Sequence, residues 1–521
     1  MSLPPFANEP LLDLADPTER ERMRRAVAAV RSQLGQSYPL AVSGHALGGS
    51  QTLVSRCPAD SDCVVGEIPL ATAEDAGRAV AAARAAFPAW AAVPGWERAA
   101  VLLRAGDILR QRRRELLGWL AFEVGKNFNQ GDGEVAEAID HFEWNARQLL
   151  GWERREIQPI ATEINDYRYR PLGVGVVISP WNFPTTLPLG MTVAAIAAGN
   201  SVILKPAEAA TVIAVQLMRV LEEAGVPEGV VTLVPGTGPE AGAALVRHPD
   251  VHFVAFVGSK PVGTAIHAAA SGLVPGQRQL KRVMTEMGGK NATIVTAQAD
   301  LEWAVGEITQ SVLGYQGQKC SATSRLICTA DIHDRVLEAL LPALDAFAAD
   351  CGPATDNHAF GPLISRAARE KVLTYAEAAR SSGMLLRTGA GRDPGHTVTP
   401  TVVADVDLDA DIAQEEVFGP FLTVHRVRDL EEAVAAANHV GYALTGALFS
   451  RDPRELAYAQ ENLEVGNLYL NRSSTGAMAG VHPFGGHRLS GTGPKVGGPD
   501  YLSFFLRTQA VTQKVRYPCG G

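Results

Sequence analysis

Residues 317–323 read Gly317-Gln318-Lys319-Cys320-Ser321-Ala322-Thr323, a cysteine among small and polar neighbours. A thiolate is a strong nucleophile, and small flanking residues leave a second molecule room to reach the sulfur. An amphipathic stretch (301–314) precedes it and an apolar, strand-like run (325–329) follows. At such a junction a side chain can project into a cleft rather than a core. Lys319 next door could favour thiolate over thiol, or merely face solvent. Against this stands the reading that Cys320 is one more small buried hydrophobe, the common fate of free cysteines. Other residues must decide.

Several stretches offer complementary chemistry. Thr285-Glu286-Met287-Gly288-Gly289-Lys290-Asn291 places a carboxylate at a strand end before two glycines. In an apolar cleft its pKa rises, which suits a general base. Asn182 sits in Ser179-Pro180-Trp181-Asn182-Phe183-Pro184, and its rigidly held amide could donate to a developing oxyanion. A turn asparagine is the plain alternative. Lys205 and Glu208 lie three residues apart after a strand, able to hydrogen-bond ribose hydroxyls, or to form an exposed ion pair. Gly258-Ser259-Lys260-Pro261-Val262-Gly263 opens a helix whose N–H groups could meet a pyrophosphate. Gly236-Thr237-Gly238-Pro239-Glu240-Ala241 fits a dinucleotide fingerprint, but Pro239 stiffens it and Asp250 comes too soon for the ribose acid. It reads as a turn near a nucleotide, not the main phosphate clamp. Glu415-Glu416-Val417-Phe418 offers a further acid.

The elements that must position these groups change character along the chain. Residues 1–150 read mainly as helices, at 76–90 after a Thr72/Asp75 capping pair, 97–118 and 135–150. Residues 155–169, with Ile157, Ile160, Ile164, Tyr167 and Tyr169 and turn signals at Pro159 and Asp166, suggest an exposed β-hairpin. From 173 onward apolar runs at 174–178, 202–204, 230–234 and 251–257 alternate with helical stretches at 186–198, 211–224, 240–247 and 262–270. That alternation predicts parallel βαβ units with ligands at the strands' carboxyl ends. A looser α/β pattern follows, with strands at 292–295, 326–328, 401–406 and 422–427 and helices at 301–314, 335–349, 366–381, 430–439 and 454–462. Residues 389–400 are rich in Gly and Pro, and the tail, 502–515, reads as a strand.

Bulk properties bound the partners. The 521 residues are too many for one core and predict two or three domains. With 47 basic and 56 acidic residues the net charge is −9, which argues against nucleic acid or anionic membrane as main partner. The basic cluster Arg110, Arg112, Arg113 and Arg114 reads as a solvated helix face. The six cysteines show no CxxC pair and no grouped histidines, so no metal site is expected. Their scarcity suits a reducing, cytoplasmic setting. The first residues show no signal peptide, and the longest apolar stretch (186–204) is broken by Pro188, Gly190, Gly199 and Asn200, so no membrane span is expected.

Seven motifs in order resemble those of the NAD(P)-dependent aldehyde dehydrogenases: Pro180-Trp181-Asn182-Phe183, Lys205-Pro206-Ala207-Glu208, Gly258-Ser259 with Gly263, Glu286 with Gly288-Gly289-Lys290, Gly317-Gln318-Lys319-Cys320, Glu416 with Phe418-Gly419-Pro420, and Pro483-Phe484-Gly485-Gly486. The resemblance implies an aldehyde-dehydrogenase-like α/β fold, with two doubly wound α/β domains and a β oligomerisation flap. It divides the chain into an NAD-binding part (1–154 and 173–285), a catalytic part (286–485) and a flap and tail (155–172 and 486–521), the flap pairing strands across subunits of a homo-oligomer. It implies Cys320 as nucleophile, Asn182 and the Cys320 N–H as oxyanion donors, and Glu286 as the base that activates water. It assigns the cofactor, NAD, to Trp181, Lys205, Glu208, Gly258, Ser259, Gly263, Glu416 and Phe418, with Glu208 disfavouring a 2′-phosphate.

Within that family, Thr475-Gly476-Ala477 ahead of Pro483-Phe484-Gly485-Gly486 is similar to the anchor loop of the 1-pyrroline-5-carboxylate dehydrogenases. Further likenesses are Phe6-Ala7-Asn8-Glu9-Pro10, Ala136-Glu137-Ala138-Ile139-Asp140 and Gly497-Gly498-Pro499-Asp500-Tyr501-Leu502. The implied substrate is L-glutamate γ-semialdehyde, oxidised to L-glutamate in proline breakdown by an enzyme not fused to a proline dehydrogenase. Ser321 and the N–H groups of Gly476 and Ala477 would hold its α-carboxylate, and Phe183 and Phe484 its methylenes. Another acid semialdehyde, such as succinic semialdehyde, is the nearest alternative, and a binding protein without turnover a more distant one. His487 and Ser473-Ser474 depart from the usual loop.

Overall fold

Strands that are apolar on both faces need helices on both sides, and this chain meets that need twice. The computed structural model describes residues 3–48, 51–152, 157–158, 160, 162–392 and 395–515. A six-stranded sheet runs in the order Gly491–Thr492, Arg282–Glu286, Phe253–Val257, Val174–Ile178, Ser201–Lys205, Val231–Leu233, parallel except for Gly491–Thr492. Val176, Val254 and Phe256 pack on one face, and Val177, Phe253 and Ala255 on the other. Strand order reverses between Val174–Ile178 and Phe253–Val257. This is where a doubly wound sheet opens a ligand crevice. A seven-stranded sheet carries Cys320 just before Thr323–Thr329. Its order is Met384–Arg387, Thr401–Ala404, Phe421–Val427, Thr323–Thr329, Asn291–Val295, Thr445–Phe449, Asn467–Leu470, with only Met384–Arg387 antiparallel.

Several expectations are corrected. The first 150 residues also hold a three-stranded sheet of Gln36–Ser37, Asp60–Pro69 and Thr52–Cys57. Its strands carry many charged and polar residues, so apolar alternation was weak. The expected helix 97–118 is two, Gly95–Gln111 and Arg113–Glu123, broken at Arg112. Strands Thr445–Phe449 and Asn467–Leu470 had no counterpart in the sequence reading.

Of the expected hairpin at 155–169, the described residues show the strand Glu163–Pro171, paired antiparallel with the tail strand Leu506–Lys514. Its turn signal Pro159, and Arg155 where the expected hairpin begins, lie outside the described residues, as does the chain end from 516. Residues 486–505 do not group with this ribbon: Gly491–Thr492 joins the six-stranded sheet, and Phe504 and Phe505 pack on Phe253 at centroid distances of 6.1 and 5.4 Å. The basic cluster is not a solvated face. Arg113 is 4% exposed and pairs with Asp132 at 2.6 Å and Glu9 at 3.4 Å, while Arg110 bridges Glu9, Asp107 and Glu143. The acids that neutralise Arg113 come from distant sequence, so local charge counting missed them.

Candidate active site

The cysteine is presented by a strained turn. After the helix Leu301–Leu313, Tyr315 and Gln316 take left-handed φ values of 54° and 55°, and Gly317 follows at 68°. A Cβ at Gly317 would meet the Gly419 carbonyl at 2.4 Å, so only glycine fits. Such conformations cost about 1–3 kcal/mol each and persist where surroundings over-determine them. Here Tyr315 Oη donates to Val124 O at 2.6 Å, and Gln318 Oε1 accepts from Ile364 N at 2.9 Å. Asn291 Nδ2 donates to both Cys320 O (2.7 Å) and Ala322 O (2.9 Å).

Cys320 Sγ lies 3.5 Å from Glu286 Oε1. Glu286 ends the strand Arg282–Glu286, and burial pushes its carboxyl up to about 7. Burial, then the nearby Glu286 and Glu416 carboxylates, push the Cys320 thiol well above its ordinary value. The reading that Lys319 could favour the thiolate is therefore corrected. Lys319 is buried, burial and Lys126 pull its own ammonium down to about 7, and its Nζ donates to Gln130 at 2.6 Å. The resting sulfur is a thiol beside a carboxyl that titrates near neutrality.

Two cavities meet at this sulfur. One, of about 230 Å³, sits at the strand-order reversal and is lined by Trp181, Asn182, Gly258, Ser259, Glu416, Phe418 and Cys320, among others. Ser259 is the N-cap of the helix Lys260–Ser271 and makes no side-chain cap bond, leaving helix-start N–H groups for an anionic group. Glu416 is held by Gly289 N at 3.0 Å, and burial pushes its carboxyl up to about 7. Trp181 and Phe418 meet edge-on at 5.7 Å. These groups fit a dinucleotide's nicotinamide end.

Lys205, which ends the neighbouring strand Ser201–Lys205, and Glu208 just after it stand apart from this cavity. Lys205 Nζ donates to Glu208 at 3.2 Å, and Glu208 accepts from Gly238 N at 3.1 Å. The Gly236-x-Gly238 turn thus serves Glu208 and packs tightly, since a Cβ on Gly236 would meet Ala241 at 2.6 Å. Gly263 is not on the cavity wall. It lies inside the helix, where a Cβ would meet Met287 Sδ at 2.5 Å, so its small size serves packing.

The second cavity, of about 360 Å³, brings Cys320, Glu286, Ser321, Phe183, Phe484, Gly476 and Ala477 together. Gly476 has φ 78°, and among the described residues neither its N–H nor that of Ala477 has a protein acceptor. Arg472 holds the carbonyls of Thr475 and Gly476 at 3.1 and 2.9 Å. The turn therefore presents two free donors, an anion-binding arrangement. Ser474 ties this loop to the cysteine turn by donating to Ser321 O at 2.9 Å. Glu137 lines the same cavity, a residue to which the sequence reading gave no role. Burial and the neighbouring Glu134 push its carboxyl up to about 8. The Glu137/Asp140 spacing on one helix face was the available signal.

Asn182 is 4% exposed, and one amide hydrogen goes to Gln318 O at 3.0 Å, leaving the other for a ligand. A second unassigned group fixes it. Lys126, fully buried, pairs with Glu134, donates to Asn182 O at 2.6 Å and lies 3.8 Å from the Phe183 ring centroid. Glu134 accepts from Thr185 N at 2.6 Å. The ion pair thus staples both sides of the 182–185 turn. Lys126→Met leaves Glu134 buried without its cation, and we expect about 3–5 kcal/mol of lost stability by chemical denaturation together with a lower kcat. An unchanged unfolding midpoint would refute this account of the pair.

Comparison with known proteins places this geometry. A model of the aldehyde dehydrogenase family matches residues 46–511. A 1-pyrroline-5-carboxylate dehydrogenase of Bacillus subtilis (strain 168) is 41% identical over 510 residues, covering 98% of this chain and 99% of that protein. One from Geobacillus kaustophilus (strain HTA426) is 42% identical over 513 residues, with the same coverage. A crystal structure of 1-pyrroline-5-carboxylate dehydrogenase from Thermus with bound NAD superposes with a TM-score of 0.96 at 43% identity, covering 99% of this chain and 100% of that one.

Proposed function

We propose a substrate and a residue-level mechanism from the premise that this chain belongs to the aldehyde dehydrogenase family. The reaction is NAD-dependent oxidation of L-glutamate γ-semialdehyde, the hydrolysed form of 1-pyrroline-5-carboxylate, to L-glutamate. One observation carries the substrate: a single cavity holds a nucleophilic sulfur, two unpaired backbone N–H groups and the Glu137 carboxyl. An aldehyde whose other end bears both a carboxylate and an ammonium satisfies all three. Gly476, Ala477 and Ser321 take the carboxylate, Phe183 and Phe484 enclose the methylenes, and an ammonium beside Glu137 draws its raised carboxyl back toward the ionised form. Succinic semialdehyde leaves Glu137 without a cation.

In the first step Sγ of Cys320 bonds to the aldehyde carbon while its proton passes to Glu286. The free amide hydrogen of Asn182 and the Cys320 N–H stabilise the oxyanion of the resulting thiohemiacetal. NAD, when bound, supplies the acceptor for the hydride that leaves this carbon. Trp181, Gly258, Ser259, Glu416 and Phe418 would hold it, with Lys205 and Glu208 toward its adenosine. Glu286, after releasing its proton to solvent, takes one from water as the water's oxygen attacks the thioester. Glutamate leaves and Cys320 recovers its proton.

The same reading divides the chain into an NAD-binding part (1–154 and 173–285), a catalytic part (286–485) and an oligomerisation ribbon. The paired strands Glu163–Pro171 and Leu506–Lys514 support a homo-oligomer, because their outer edges are open to another chain. A monomer by light scattering at micromolar concentration would contradict it. No helix among the described residues is long and apolar enough to cross a membrane. A cytoplasmic location is proposed on the scarcity of cysteines, the five among the described residues being unpaired. The substrate test is direct. The semialdehyde and succinic semialdehyde are compared at equal concentration with NAD and NADP while reduced cofactor is followed. Higher kcat/KM for the semialdehyde with NAD is expected, and faster succinic semialdehyde turnover defeats the assignment.

A further inference from the structure

Asn8, Glu9 and Leu11 line the 360 Å³ cavity although no catalytic motif includes them. Their segment belongs to no helix or strand, so its backbone groups need partners elsewhere. The helix Phe128–Gly151 supplies them: Asp132 accepts from Leu12 N at 2.8 Å, and Asp140 from Glu9 N at 2.7 Å. Asn8 uses both amide hydrogens. One goes to Asp140 Oδ2 at 2.7 Å and the other to the backbone carbonyl of Ala479 at 2.9 Å. Asp140 lies one turn from Glu137 on the same helix face. Ala479 lies two residues beyond Ala477. Phe6 adds a second tie, meeting Trp144 edge-on at 5.1 Å. Gly480, at φ 76°, packs so closely that a Cβ would come within 2.8 Å of Phe6 and 2.9 Å of Trp144.

We infer that Asn8 is a positioning residue that sets the spacing between the helix bearing Glu137 and the loop bearing Gly476 and Ala477, and so governs selectivity for aldehydes with an α-amino acid end. This rests on the substrate reading above. A primary amide suits the task, because one planar group carries two donors for acceptors on two separate elements. The nucleophile and base are reached through other elements, so a simple aldehyde feels the tie far less.

The test uses the full chain and two variants: Asn8→Ala removes both amide hydrogen bonds, and Gly480→Ala wedges a methyl between the loop and the Phe6–Trp144 pair. The ratio of kcat/KM for L-glutamate γ-semialdehyde to that for propanal is measured at saturating NAD. The ratio is expected to fall about tenfold, carried mainly by KM for the semialdehyde, as loss of a pair of positioning hydrogen bonds would give. An unchanged ratio, or equal loss on both aldehydes, in a wild type that favours the semialdehyde overturns the role of Asn8 and leaves the substrate reading standing. A wild type with no preference between the two aldehydes overturns the substrate reading and this inference with it.

Discussion

Cys320→Ala is expected to lower kcat on the semialdehyde by about 10⁴-fold or more, with NAD affinity held within about twofold. Alanine keeps the Cβ and removes only sulfur, so the turn pinned by Asn291, Tyr315 and Gln318 is retained. No other nucleophile replaces it: Glu286 sits 3.5 Å behind the sulfur and is the proton acceptor in the same step. Absorbance of reduced cofactor reads the first quantity and isothermal titration the second. Substantial turnover in the variant would remove the covalent mechanism. The same chemistry sets the resting state. Since burial and two carboxylates hold the proton on sulfur, alkylation of Cys320 by iodoacetamide should be slow at neutral pH and rise in alkali, where thiolate accumulates.

Glu286→Gln is expected to lower steady-state kcat by about 10²- to 10⁴-fold, the usual worth of a general base. The pattern matters more than the size. Glu286 takes the Cys320 proton before hydride transfer and the water proton after it, so the variant should give a burst of reduced cofactor that is slower than in the wild type yet approaches one per active site before stalling as the thioester. Its partner prediction is a pH profile. The base works unprotonated, and burial has raised its carboxyl to about 7, so wild-type kcat should rise as pH climbs through about 7 and be lost below it. That acid limb should disappear in Glu286→Gln. Loss of the burst together with steady turnover would show that Glu286 acts in the attack by Cys320 alone.

The candidate site was largely legible as spacing and residue type. A cysteine between a helix and a strand, a glutamate at a strand end and an asparagine between aromatics are each local signals, because small residues and prolines around them fix the backbone. Alternation of apolar strands and helices was equally local, and both mostly parallel sheets follow from it. Legibility failed where a neighbour is remote in sequence. Arg113 looked like one of a row of surface arginines, yet Asp132 and Glu9 bury it. Lys319 could have tuned the thiol or faced solvent, yet it is buried, and burial and then Lys126 draw its charge down. The strand Glu163–Pro171 pairs across some 340 residues with the tail, a partner no local pattern encodes.

Sequence alone therefore determined the cysteine stretch Gly317–Thr323 as the candidate site, the order of the motifs and the α/β class, since periodicity and turn chemistry act over a few residues. Tertiary structure decided what those residues experience. It put Cys320 where two cavities meet and set the sulfur as a thiol against a near-neutral Glu286. It also left the Gly476 and Ala477 N–H groups without an acceptor among the described residues, on the cavity that Glu137 and Asn8 also line. Burial, charge proximity and hydrogen-bond satisfaction are sums over neighbours, and only the folded chain specifies which neighbours those are.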